Sequence, residues 1–471
     1  MGTFSNPPES LHPTRARYGV LSFACSLAFL TYLDRICIMQ AAASMRADLG
    51  FSEKEMGLVF SAFMLGYLIL EMPGGWMGER WGTRRALAGM VLSWSLFTAL
   101  TGCIWPFALD SGQKLRIGGY VISLAFNSLA LMLAIRFLFG LGEAGAFPNL
   151  TRVVRDWFPL SERASALAWF WACARLGGFF AAVALSALTA MLGWRQAFWL
   201  FGLAGVVWCL FFYLRFRNHP EEDPRCNPAE RELIRHGSSP ADSSGHAWPS
   251  WRVLAGSLSV WAVCAASFCI NFGWYFYATW QPLYWEEVYS IRYADSAWLT
   301  GAPYLCGAAG TFLGGRWSDR LLRQGGSRRW SRCIIGITGY VLAGLCILAT
   351  GFTTAAWQAE TLLCLGFLVN DLTVPIIWAV CTDIGGRCTG ALSGLMNMVG
   401  GFAAILSPAL LPHAHEMLHE AHFDPRVSWR IILAGLSVSW FVGALAWLFI
   451  DAGKPLAWST VSHENTNNAK R

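Results

Sequence analysis

Stretches 196–214 and 431–450 each run for about 19–20 apolar, nearly uncharged residues, and that length decides what the chain can become. At ~1.5 Å of helix rise per residue, such a run crosses the ~30 Å hydrocarbon layer of a bilayer. Only 14% of the residues are charged and 55% are hydrophobic, whereas an ordinary soluble domain carries about 25% charge. The chain lacks the polar surface to dissolve. Intrinsic disorder, a soluble enzyme and a nucleic-acid binder are excluded, although 471 residues would otherwise suggest two or three soluble domains. What remains is a polytopic membrane protein in a lipid bilayer.

Apolar windows of about 19 residues place spans near 19–41, 55–77, 86–105, 119–149, 163–190, 196–215, 253–285, 296–315, 333–352, 357–381, 389–411 and 430–450. Unpaired backbone groups cost several kcal/mol each in lipid, so all of these are expected to be helix. Twelve spans put both termini on one side. The polar start, with Pro7, Pro8 and Pro13, has no cleavage site after a short apolar core, so the first segment reads as a retained span. Most of the fourteen cysteines, among them Cys25, Cys37, Cys173, Cys209 and Cys264, lie in apolar runs and read as small buried hydrophobes without a structural disulfide.

Basic residues gather in loops of one parity: Arg15 and Arg17; Arg80, Arg84 and Arg85; Arg152, Arg155 and Arg163; Arg217 to Arg252; and Arg316 to Arg332. The other loops hold few, namely Arg46, Lys54, Lys114, Arg116, Arg195, Arg292, Arg426 and Arg430. The positive-inside rule puts both termini in the cytoplasm, with the chain in a cell (inner) membrane. An internal repeat accompanies this pattern. Gly74-Gly75-Trp76-Met77-Gly78-Glu79-Arg80 after span 2 returns as Gly314-Gly315-Arg316-Trp317-Ser318-Asp319-Arg320 after span 8, and Trp194-Arg195 returns as Trp429-Arg430. The expected organisation is a cytoplasmic tail over 1–18, a six-helix bundle over 19–217, a linker over 218–251, a second bundle over 252–450 and a tail over 451–471. Two pseudo-symmetric six-helix halves are the pattern of a transporter with its site at their interface. The linker reads as acidic and Pro-rich, then helical over Asn227–Arg235, then a Ser/Gly/Ala tract.

The run Gly75-x-x-x-Glu79-Arg80-x-Gly82-x-Arg84-Arg85 resembles the span 2–3 loop signature of the major facilitator superfamily, with Glu79 where Asp is usual. Its physical sense is a gate latch: glycines let helices touch, and the acid and arginines make reversible ion pairs, with Gly315, Asp319 and Arg320 as the second copy. Tyr32-Leu33-Asp34-Arg35, Arg136-Phe-x-x-Gly140-x-Gly142-Glu143-Ala144, Trp157-Phe158-Pro159, Pro220-Glu221-Glu222-Asp223-Pro224 and Thr279-Trp280-x-Pro282-x-Tyr284 narrow the likeness. Together they are similar to the anion:cation symporter family, which includes hexuronate, galactonate and glucarate permeases. The resemblance implies proton-coupled uptake of a small organic anion, a sugar acid (hexuronate, aldonate or aldarate) or related acid, by alternating access. The expected partners are that anion, protons and lipid; the expected protein is a monomer without cofactor, metal or nucleic acid. An organic-anion exchanger or facilitator without proton coupling is the alternative.

Ionisable side chains at membrane depth cost ~2.5–3.5 kcal/mol each on insertion scales and are functional candidates in their own right. Asp34, Arg35, Glu71, Arg136, Glu143, Arg175 and Asp371 fall in this class, six of them in the first half. Arg35 offers a permanent charge and a planar fork for a carboxylate, or else it neutralises itself on Glu143 or Asp34. The family places its substrate arginine at Arg35, and Tyr32 and Tyr67 match pocket positions. Asp34 and Glu143 are candidate proton sites, because burial and a departing arginine change a carboxylate's charge state. Arg136, two turns before Glu143, is a candidate partner for Asp34, and a permanent network is the competing reading. Arg175 stands where relatives commonly carry glutamine, so it points either to a dicarboxylate substrate or to a neutralised acid. Asp371 has no family role. Asn271, Tyr275, Tyr277, Trp280, Trp378, Thr382 and Asn397 are candidate polar lining from the second half.

His415-Glu416-Met417-Leu418-His419 spells a zinc-protease pattern, with His413 and His422 nearby. It falls where a short outside loop is expected, without a pocket-forming domain or a further acidic ligand, and reads as a solvated loop.

Overall fold

A computed structural model describes residues 12–117, 120–235, 251–291 and 297–456. The Ser/Gly/Ala tract of the linker, the ends of both tails and Arg292 lie outside the described residues.

Spans 1 to 3 are single helices: α1 (Ala16–Leu49), α2 (Glu53–Trp81) and α3 (Thr83–Thr101). α1 has 34 residues, about 51 Å at the standard rise, so it continues past the expected end at residue 41. It stops at Gly50, whose φ of 73° lets its N–H reach the Arg46 carbonyl. A capping box between Ser52 and Glu55 starts α2, and Gly82, at φ 80°, makes the sharp turn into α3.

The next segment departs from expectation. The apolar window counts residues 119–127 in span 4, yet β1 (Ala108–Ile117) and β2 (Tyr120–Asn127) form an antiparallel hairpin. An eight-residue apolar run reads equally as strand or helix. The hairpin follows α3 at the end opposite the termini. Span 4 itself is α4 (Ser128–Glu143) and α5 (Ala146–Trp157), and spans 5 and 6 are α6 (Arg163–Leu192) and α7 (Trp194–Arg215).

The linker contains α8 (Pro228–Arg235). Its Glu230, fully buried, accepts from the Ala16 and Arg17 amides at 3.0 and 3.2 Å and from Arg17 Nη1 at 3.0 Å. The linker helix thereby caps the free N-terminus of α1.

In the second half, α9 (Trp251–Gly256) precedes span 7, which is α10 (Leu258–Tyr275), a π turn at Phe276–Trp280 and α11 (Gln281–Tyr289). Spans 8 and 9 are α12 (Ala297–Arg323) and α13 (Arg328–Thr350). Span 10 is α14 (Ala356–Asp371) plus α15 (Val374–Gly385), and spans 11 and 12 are α16 (Thr389–Glu420) and α17 (Pro425–Leu448). Twelve helical crossings result among the described residues, three of them interrupted near the middle. Interrupted helices within a membrane are tolerated where they line a protein-enclosed cavity.

α1 packs on α6, α2 on α4 and α3 on α7; α10 packs on α16, α12 on α14 and α13 on α17. The halves meet through α2 against α16 and α6 against α12. Glycine makes the first contact possible, since a Cβ at Gly390 would sit 2.6 Å from the Gly75 carbonyl oxygen. On the outside, Leu203, Val207, Leu210 and Leu214 form an exposed helical stripe on α7, and Val438, Val442 and Leu445 one on α17. Such stripes suit lipid contact.

Candidate functional site

Several of the intramembrane charges meet where the two halves face each other. From α1, Arg35 ion-pairs through Nε with Glu143, the last residue of α4. Its guanidinium carbon stands 4.3 Å from the centroid of Tyr67 and 5.6 Å from those of Tyr32, Phe63 and Phe147, an aromatic cage that holds a cation well. Arg35 Nη2 has no hydrogen-bond partner. Of the two sequence readings of Arg35, the geometry contains the ion pair with Glu143.

Below the cage, Phe147 stacks on Trp171 with centroids 4.7 Å apart and planes 8° off parallel. Trp171 in turn meets Trp378 of α15 at 5.4 Å, so Trp378 reaches the first half. From α16, Asn397 donates to Glu71 of α2 and lies 3.5 Å from the Tyr67 hydroxyl. Tyr275 packs edge-on to Trp274 and lies in the electrostatic reach of Tyr32, Arg35 and Glu71. Asn271, by contrast, turns back to the Ser267 carbonyl of its own helix at 2.8 Å. Tyr277 is buried inside the second half, donating to the Leu363 carbonyl at 3.2 Å, and so is not lining.

Asp34 is fully buried beside Trp94 and Arg136, but neither of its oxygens has a hydrogen-bond partner. The expected Arg136–Asp34 ion pair is therefore not made. Arg136 stacks on Phe139 at 4.2 Å instead, leaving Nε and Nη1 unpartnered. Unpaired buried polar atoms are costly and rare, so a group left this way is a candidate for a functional role.

Arg175 does not pair with Glu143. Its Nε donates to Asp371 Oδ2 of α14 at 3.0 Å, from one half to the other. The sequence marks Glu71 and Asp371 only as intramembrane charges; their partners lie 326 and 196 residues away.

At the face shared by the termini, two carboxylates tie the halves together. Glu79 accepts from the Ala391 amide at 2.9 Å, at the start of α16. Asp319 accepts from the Ala164 and Ser165 amides at 3.3 and 2.7 Å, at the start of α6, and from Arg332 Nη1 at 3.1 Å. The two copies of the repeat thus do the same thing, a carboxylate at the end of one helix capping the N-terminus of a helix in the other half. The motif's own arginines act differently from expectation. Arg80 is exposed, stacked on Trp76 at 5.4 Å, and Arg320 is exposed at the end of α12. Arg84 donates to the Tyr213 carbonyl of its own half at 2.8 Å. Cross-bundle arginines come instead from Arg155, which bonds the Gly386 carbonyl, and Arg163, 3.9 Å from Asp383. Backbone amides are nearer to the acids than the motif's guanidinium groups. The described state is latched at the termini face.

The His415–His419 motif is helical rather than looped, because α16 runs on to Glu420. His415 Nε2 and Trp429 Nε1 both bond Glu287 Oε2, at 2.8 and 2.7 Å, and no cluster of three metal-ligating side chains occurs among the described residues.

The sequence family described as Major Facilitator Superfamily matches residues 24–408. A probable sulfoacetate transporter of Cupriavidus necator is 31% identical over 439 residues, covering 93% of this chain and 94% of the relative. A probable galactarate/D-glucarate transporter of Bacillus subtilis is 31% identical over 411 residues, covering 84% and 85%. Among solved structures, the Escherichia coli fucose:proton symporter FucP aligns with a TM-score of 0.64 at 16% identity, covering 92% of this chain and 99% of that one. The proton:xylose symporter XylE aligns at 0.67 and 14% identity, covering 93% and 97%. These relatives are transporters, not enzymes.

Proposed function

The chain belongs to the major facilitator superfamily, and from that premise we propose that it carries a small organic anion, a sugar acid or related acid, in symport with protons by alternating access. The carrying observation is the Arg35–Glu143 pair in the aromatic cage between the halves. A substrate carboxylate that takes the Arg35 fork removes the partner of a fully buried carboxylate. A buried, uncompensated charge is costly by several kcal/mol, so Glu143 takes a proton as the substrate arrives. Binding of anion and proton are then one event. Asp34, buried beside Arg136 without a partner, is the next proton carrier in reach.

Alternating access is supported by the two carboxylate caps, which join the halves by hydrogen bonds at one face only. The basic loops share the face of the termini, which supports placing that face in the cytoplasm. Sulfoacetate, galactarate and glucarate, named for the relatives, are doubly charged acids. Arg175, a second buried arginine within the electrostatic reach of Tyr32, supports a doubly charged acid here as well.

Reconstitution into proteoliposomes tests this reading. An inward proton gradient is expected to drive accumulation of D-glucarate, whereas Glu143→Gln keeps glucarate exchange at equal pH and loses the accumulation. Accumulation retained by Glu143→Gln refutes its coupling role, and wild-type uptake indifferent to the gradient identifies an exchanger.

A further inference from the structure

We propose that Asp371 is a built-in counter-ion occupying a second anion subsite at Arg175, and that the second acid group of a doubly charged substrate displaces it while a proton moves onto the freed carboxylate. This inference rests on the functional reading above and deepens it.

Both arginines belong to the first half, and both lie within the electrostatic reach of Tyr32. Each is held by a carboxylate, but the carboxylates differ in origin. Glu143 comes from the same half as Arg35, whereas Asp371 comes from the opposite half. The Arg175–Asp371 pair is therefore a bridge at mid-depth as well as a counter-charge. The arginine is 10% exposed and the aspartate fully buried, with Trp274 facing the guanidinium at 5.6 Å.

Asp371 is furnished for both charge states. Trp440 Nε1 donates to Asn370 Oδ1 at 2.9 Å, which turns the Asn370 amide nitrogen toward Asp371 Oδ1, 3.0 Å away. That bond survives protonation, since a neutral carboxyl keeps one acceptor oxygen. Oδ2 is the oxygen that Arg175 vacates, and there the proton goes. The other groups facing Asp371 are Tyr304 of α12, Tyr277 of the turn after α10, and Gly307 of α12, where a Cβ would lie 2.8 Å from Oδ2. None of them is a cation, so among these neighbours nothing replaces Arg175 once it turns to the substrate. The exchange balances: the Arg175–Asp371 pair, a dianion and one proton become an Arg175–substrate pair and a neutral Asp371. A singly charged acid occupies Arg35 alone and leaves the bridge closed.

Equilibrium binding and proton counting on the purified full-length protein test this. With radiolabelled D-glucarate and D-gluconate in weakly buffered detergent at neutral pH, the wild type should take up about one more proton for glucarate than for gluconate. Asp371→Asn, which removes the competitor and its charge, should tighten glucarate binding by on the order of tenfold or more, the range of a lost charge-assisted bond. It should tighten glucarate binding more than gluconate binding and abolish the extra proton. Arg175→Gln should erase the preference for glucarate. Equal proton uptake for the two acids in the wild type overturns the inference without any variant. Arg35-dependent binding with a glucarate-to-gluconate ratio unaltered by Asp371→Asn overturns it too, while leaving the functional reading standing. A wild type that binds neither acid defeats both.

Discussion

Asp319 offers the most quantitative test of how the termini face is held shut. Its carboxylate accepts three bonds, from the amides of Ala164 and Ser165 in the opposite half and from Arg332 in its own. When the halves separate at that face, the two amide bonds are lost and the Arg332 bond survives. Bonds to a charged acceptor contribute ~1.5–3 kcal/mol each and neutral ones ~0.5–1.5. The two amides bond different oxygens of Asp319, and asparagine keeps one acceptor, so Asp319→Asn loses one cross-half bond, leaves the other neutral and removes a charge facing the α6 N-terminus, a loss of at least ~2 kcal/mol. About 2 kcal/mol favours opening, a population shift of roughly 30-fold. Hydrogen–deuterium exchange of the purified protein reads this directly. The first amides of a helix have no partner within it, so the protection of Ser165 comes from Asp319 and that of Ala391 from Glu79. If the halves move as rigid bodies, Asp319→Asn accelerates exchange by roughly 30-fold at Ser165 and also at Ala391, which Asp319 does not touch. Faster exchange confined to Ser165 would refute the coupled latch, and no change at either amide would refute the cap itself.

Arg35→Ala and Arg35→Lys should both abolish anion binding, because lysine keeps the charge but lacks the fork and its stacking on Tyr67; near-normal affinity in Arg35→Lys, measured by equilibrium dialysis, would refute that role. Gly74→Ala places a Cβ 2.7 Å from the Gly145 Cα, and overpacking of this kind costs ~1–3 kcal/mol. Its thermal stability in detergent, followed by size exclusion after heating, should fall by several degrees, and an unchanged melting profile would show slack at the α2–α5 crossing.

Much of this protein is determined along the chain. The length of its apolar runs demands membrane-crossing helices, and the repeat of Gly75–Arg80 as Gly315–Arg320 requires two similar halves. The cost of charge in lipid singles out Arg35, Glu143 and Arg175 simply because they interrupt apolar runs. These are local signals, carried by composition, spacing and a helical period. The pairing of those charges is a different matter. Arg175 meets Asp371, and Asn397 meets Glu71, because two bundles of helices cross at particular angles and depths, and a helical period says only which residues share a face of one helix. The same holds at the latch, where the acids Glu79 and Asp319 stand out in the sequence but their partners are backbone amides, which leave no mark on it. The hairpin at 108–127 is hidden for a related reason, since a short apolar run is compatible with strand or helix until its surroundings choose. Sequence determined which side chains must find a partner within the membrane. Only the packing of one half against the other decided which partners they found.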